Sequence, residues 1–143
     1  MATVLLAEDD GGVRELIEFV LTGAGHTVIA HGDGGSALTV ARTEPFDLAV
    51  LDVSMPGLSG LEVCTALRCD PRTAGVPVLL LTAHGGHEDV ADGYAAGAND
   101  YILKPFSAVD LLARVDTFLA PVDHAAAVSG WDRLAGRPAQ RAL

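Results

Sequence analysis

Cations are scarce in this sequence. Its 143 residues include 9 Lys and Arg against 19 Asp and Glu, for a formal charge of −10. Lysine occurs once, as Lys104. Nucleic-acid binding rests on neutralising phosphates with Lys and Arg, so direct contact with DNA or RNA is disfavoured. An acidic domain suits a bound cation or a basic protein partner instead. The deficit lies within residues 1–120, which hold 6 basic and 17 acidic side chains, whereas the remainder carries three Arg and two Asp.

Thiols are also rare. Cys64 and Cys69 have no His or Cys framework around them, so free thiols are expected rather than a disulfide or a metal site. No apolar run reaches the ~18 residues of a membrane span. The N-terminus passes straight into TVLLA without a basic lead and cleavage site, so it does not read as a signal peptide. A soluble cytoplasmic protein is the expectation.

What is present is an alternation. Short apolar runs at Thr3–Ala7, Thr27–His31, Phe46–Asp52, Val76–Ala83 and Asp100–Lys104 read as strands, and each is followed by a helical pattern. The first helix, from about Gly12, places Val13, Leu16, Ile17, Val20 and Leu21 on one face, and Gly23 and Gly25 stop it. A second starts near Gly34 and ends before Pro45. Ser59 and Glu62 form a capping box for the third. The fourth, Glu88 to about Gly97, is weak, with Gly93 inside it and an apolar face mostly of alanine. Ser107 and Asp110 cap the last, whose face is Ala108, Leu111, Leu112, Val115 and Leu119. Strands alternating with helices imply an α/β fold, a parallel sheet covered on both faces. The pattern does not give the strand order. One domain over residues 1–120 is expected; the tail 121–143 reads either as a helical extension docked through Trp131 and Leu134 or as a disordered end.

In open α/β sheets, ligands bind outside the carboxyl ends of the strands. Here those ends carry Glu8-Asp9-Asp10, Asp52, Thr82 and Lys104. Crowded carboxylates repel one another unless a cation intervenes, and Mg²⁺, which prefers oxygen ligands, answers that need. Glu8, Asp9 and Asp52 would be balanced by Mg²⁺ and Lys104. Asp52 is then the natural nucleophile for a phosphoryl group, because an ionised carboxylate needs no general base. Taken singly, Asp9 or Asp10 reads equally as a helix cap, Lys104 as a surface residue and Thr82 as a strand end. Their joint placement at strand ends favours the site.

Over residues 2 to about 120 the sequence resembles the receiver domain of two-component response regulators. The matching stretches are LLAEDD, FDLAVLDVSMPGLSGLEV, VPVLLLTAHG and AGANDYILKPF. The resemblance implies a flavodoxin-like fold, a doubly wound five-stranded parallel sheet of order 2-1-3-4-5. It implies that Glu8 and Asp9 bind Mg²⁺, with Asp52 both a ligand and the phosphorylated aspartate, and with the backbone carbonyl of Ser54 completing the set. Thr82 and Lys104 would contact phosphoryl oxygens, and Tyr101 would be the switch aromatic. Ser54 and His84 would tune the lifetime of the phosphate, and the Lys104–Pro105 peptide would be cis. Glu8 stands where Asp is commoner, keeping the charge. A zinc reading of His84 and His87 lacks further closely placed ligands.

The resemblance further implies phosphorylation by a histidine kinase or a phosphotransfer protein, and output through the face of helix 4, strand 5 and helix 5 to an unnamed downstream protein. A stand-alone module is expected, with a phosphorelay intermediate as the alternative and a phosphorylation-dependent homodimer left open. An aspartyl phosphohydrolase would place its nucleophile after the first strand, with a second Asp two residues on, where this chain has Ser54. A flavin carrier would need Ser, Thr and Gly where Glu8-Asp9-Asp10 would repel the anion. A non-enzymatic regulatory domain is the expectation.

Overall fold

The computed structural model describes residues 2–83 and 87–119. The expectations for His84 and for the tail 121–143 lie outside the described residues. The chain runs β1 (Thr3–Ala7), α1 (Gly11–Gly23), β2 (Thr27–His31), α2 (Gly34–Ala41), β3 (Leu48–Asp52), α3 (Gly60–Cys69), β4 (Val78–Thr82), α4 (His87–Ala95), β5 (Asp100–Leu103) and α5 (Ala108–Leu119). The five strands form one parallel sheet in the order β2-β1-β3-β4-β5.

Successive strand residues face opposite sides of a sheet, and here that alternation divides the core in two. Leu5, Ala7, Ala49, Leu51, Val78 and Leu80 pack against α2 and α3 through Ala37, Leu38, Val63, Cys64 and Leu67. Val4, Leu6, Leu48, Val50, Leu79 and Leu81 pack on the other face against Ile17 and Leu21 of α1 and Leu111 and Val115 of α5. Each fully buried Leu or Ile contributes roughly 1.5–3 kcal/mol. β3 and β4 are buried throughout, as their unbroken apolar runs require.

β1 and β2 match their apolar runs, whereas β3, β4 and β5 are shorter than theirs. β4 begins at Val78 because Val76 is spent in a turn, its N–H donating to the Thr73 carbonyl, and Pro77 has no N–H for a ladder. β3 begins at Leu48, although the Asp47 N–H already reaches the Thr3 carbonyl at 2.7 Å. The caps are local. Asp10 Oδ1 accepts from the N–H groups of Gly12 and Val13 at 2.9 and 3.1 Å, which offsets the two weak helix formers that open α1. Ser59 Oγ accepts from Glu62 N at 3.2 Å while Glu62 Oε1 accepts from Ser59 N at 2.9 Å. Ser107 Oγ accepts from Asp110 N at the start of α5.

Candidate functional site

Register brings the strand ends together. Ala7 pairs with Leu51, so the next residues, Glu8 and Asp52, emerge side by side from the adjacent strands β1 and β3. Thr82 pairs with Leu103, the residue before Lys104, and the Lys104 N–H donates to the Thr82 carbonyl at 2.8 Å. One carboxylate oxygen each from Glu8, Asp9 and Asp52 lies within 4.8 Å of the others. Glu8 has no exposed surface and Asp52 only 3%, while Asp9 is exposed at the mouth. Lys104 Nζ sits 2.8 Å from Glu8 Oε1 and 3.2 Å from Asp52 Oδ1.

The third acid of the run does something else. Asp10 is the cap of α1, so the capping reading holds for it and not for Asp9. Ser54 is exposed beside the pocket, its N–H donating to Asp52 Oδ1 at 3.3 Å. Thr82 is buried at the end of β4. Tyr101 is half-buried on β5, its ring edge-on to Tyr94 with centroids 6.1 Å apart. A cavity of about 40 Å³ is bordered by both Thr82 and Tyr101, together with Val53, Leu61, Leu80 and Gly93. The Lys104–Pro105 peptide is cis.

Crowding sets the electrostatics. Burial, and then the nearby carboxyls of Glu8 and Asp9, push Asp52 up to about 7 against the opposing pull of Lys104. Asp9 is held below the usual carboxylate range, chiefly by its hydrogen bond with Asp52. Among the three acids, Asp52 is thus the one whose charged form the pocket disfavours. Burial alone would lower Lys104, but its contacts with Glu8 and Asp52 outweigh that and raise it. Burial and two neighbouring acids thus work against the ionised nucleophile, and a divalent cation would work for it. The three oxygens are hard ligands short of positive charge, and they fit Mg²⁺ on donor chemistry.

Sequence reasoning passed over two residues that shape this pocket. Gly60 packs so tightly on the end of β3 that a Cβ there would strike the Asp52 carbonyl. A glycine in the first turn of α3, straight after the Ser59 cap, was its only signal. Arg14 Nη1 donates to the Glu8 carbonyl at 2.9 Å, and no sequence pattern marks it.

The response regulator receiver domain family matches residues 4–116. The chain belongs to that family, the phospho-acceptor signalling modules of two-component systems. Among its relatives, the DNA-binding response regulator MtrA of Mycobacterium tuberculosis is 43% identical over 112 residues, covering 78% of this chain and 48% of MtrA. The chain thus spans about half the length of such relatives. Chemotaxis protein CheY4 of Vibrio cholerae superposes with a TM-score of 0.80 at 33% identity, over 82% of this chain and 98% of that one. The receiver domain of sensor histidine kinase PA1611 from Pseudomonas aeruginosa, solved with a magnesium ion coordinated in its active site cleft, gives 0.78 at 28% identity, over 84% and 98%. Among the described residues no helix is long and apolar enough to cross a membrane.

Proposed function

We propose that Asp52 is the phospho-acceptor of this receiver and that Glu8, Asp9, Asp52 and the Ser54 backbone carbonyl hold Mg²⁺. One observation carries the reading: three carboxylate oxygens gathered within 4.8 Å, with the ammonium of Lys104 against two of those carboxylates. The ion bound by the PA1611 receiver supports the same choice of metal.

A carboxylate oxygen of Asp52 attacks the phosphorus of a phospho-donor. The bond from phosphorus to the donor breaks, the donor leaves with its electron pair, and an acyl phosphate remains on Asp52. Bound Mg²⁺ supplies charge neutralisation and favours the ionised nucleophile. Lys104 stands to follow the new negative charge, moving its ammonium from the carboxylates to a phosphoryl oxygen. Thr82, at the neighbouring strand end, offers its hydroxyl to another. Water attacking the same phosphorus breaks its bond to Asp52, releasing inorganic phosphate and restoring the carboxylate, so the domain promotes its own phosphorylation and dephosphorylation without turning over an external ester.

Movement of Thr82 opens the way for the Tyr101 ring toward the cavity both residues border. The face that reports this carries exposed Tyr94, Leu103 and Val109, an apolar surface suited to a downstream protein or to a second phosphorylated copy. Ser54 and His84 tune the lifetime of the phosphate. We assign residues 1–120 to the receiver domain. Phosphate arrives from a histidine kinase or phosphotransfer protein in the cytoplasm, where nucleotide-derived phosphoryl groups and Mg²⁺ are available. Relatives such as MtrA are named as DNA-binding; the acidic residues described here are poorly suited to that contact, and we assign them protein partners.

Borohydride reduction of the phosphorylated protein tests the assignment, because it converts an aspartyl phosphate to homoserine. Peptide mapping is expected to find homoserine at position 52. Homoserine at another aspartate would overturn the reading.

A further inference from the structure

The acidic pair is anchored from outside the pocket. Glu8 lies just past Ala7 and His31, the last pair of the β1–β2 ladder. Its N–H still donates to the His31 carbonyl at 3.1 Å. Its carbonyl projects beyond the end of β2 and accepts instead from Arg14 Nη1 at 2.9 Å. Arg14 itself is fixed in the first turn of α1, where its N–H donates to the Asp10 carbonyl at 2.8 Å. The three-residue connection Glu8–Asp10 is therefore tied at both ends, by the cap at Asp10 and by the guanidinium at Glu8.

That guanidinium lies close to two glycines, tightly against one of them. A Cβ at Gly32 would lie 3.1 Å from Arg14 Nη1, and one at Gly11 would lie 3.6 Å from Nη2. Gly32 does not adopt the left-handed backbone that favours glycine, so conformational freedom does not account for it. A Cβ there would press on the Arg14 guanidinium, which would have to give way.

We infer that Arg14, seated against Gly32, is a positioning residue for the metal-binding carboxylates: by holding the Glu8 carbonyl it fixes the direction in which Glu8 and Asp9 present theirs. The inference rests on the reading of this cluster as a Mg²⁺ site. Groups that orient metal ligands commonly change metal affinity about 10–100-fold when removed. The sign of the effect separates positioning from simple charge. Arg14 is a cation near a cation site, so electrostatics alone predict that removing it tightens Mg²⁺ binding. Positioning predicts the opposite.

The experiment is a calorimetric titration of Mg²⁺ into the wild type, Arg14→Ala, Arg14→Lys and Gly32→Val, with each Tm measured in EDTA. We expect Arg14→Ala to raise the Kd about tenfold, Arg14→Lys to recover most of the loss through its own N–H donor, and Gly32→Val to weaken binding by displacing the guanidinium. A Kd for Arg14→Ala equal to or below that of the wild type overturns the inference. Should Arg14→Ala fail to fold, Gly32→Val decides it, and an unchanged Kd there overturns it equally. A wild type that binds no Mg²⁺ would overturn the metal site and this inference together, whereas normal wild-type binding with an unaffected Arg14→Ala overturns the inference alone.

Discussion

The ammonium of Lys104 stands 2.8 Å from Glu8 Oε1, a carboxylate with no exposed surface. The chain's single lysine thus meets the most buried acid among the described residues, and the same ammonium reaches Asp52 at 3.2 Å. In the metal-free protein this one charge offsets three carboxylates.

Removing it leaves those carboxylates facing one another. Lys104→Met is expected to destabilise the metal-free protein by on the order of 2–3 kcal/mol, below the range for breaking fully buried pairs because Lys104 keeps part of its surface in water. Saturating Mg²⁺ should recover much of the difference by supplying the missing charge. Urea denaturation of both proteins, in EDTA and in Mg²⁺, measures it. Equal stabilities in EDTA would contradict the ion-pair account.

The raised Asp52 carboxyl gives stability a pH dependence of definite sign. Folded at about 7 and unfolded near its ordinary 3.8, this group binds its proton more tightly in the native state. Its contribution is fully present below the unfolded value and is lost as pH rises through the folded one. Between about 4 and 7, Asp52 therefore lowers the Tm of the metal-free protein as pH rises. Asp52→Asn should flatten that trend and melt higher than the wild type at neutral pH in EDTA. Parallel pH profiles for the two proteins would count against it.

Asp9 and Asp10 are neighbours with different work. Asp10→Ala is expected to cost about 1 kcal/mol of stability through loss of the α1 cap while retaining Mg²⁺ binding. Asp9→Ala should show the reverse, weakened Mg²⁺ binding with metal-free stability kept or improved. Calorimetry and thermal melts on the two variants separate the roles. Identical behaviour would merge them.

Gly60 and Ser59 make a second contrasting pair. A methyl at Gly60 meets the Asp52 carbonyl, so Gly60→Ala should destabilise by about 1–3 kcal/mol and slow phosphorylation by moving the acceptor. Ser59→Ala removes half of the capping box and should cost about 1 kcal/mol with the phosphorylation rate retained. Rates with acetyl phosphate and Mg²⁺ check both. A Gly60→Ala protein phosphorylated as fast as the wild type would show that the contact does not set the position of Asp52.

Much of this molecule is legible in its sequence because the deciding interactions are local or periodic. The unbroken apolar run from Val78 to Leu81 marks a strand buried on both faces, and Ser59 with Glu62 marks a helix start whatever surrounds it. The strand-end rule then places Glu8, Asp52, Thr82 and Lys104 on one rim without knowledge of the strand order. What escaped depends on contacts between distant segments. Gly32 packs closely on the guanidinium of Arg14 and Gly60 on the carbonyl of Asp52, and the sequence names neither partner. The upward push on the Asp52 carboxyl likewise follows from its burial beside Glu8 and Asp9, which composition does not reveal.

Intact mass after incubation with acetyl phosphate tests the central claim most directly. In Mg²⁺ the wild type should gain the mass of a single phosphoryl group, in EDTA it should gain almost none, and Asp52→Ala should gain none under either condition. Phosphorylation of Asp52→Ala to the wild-type extent, or a wild type indifferent to Mg²⁺, would contradict the account.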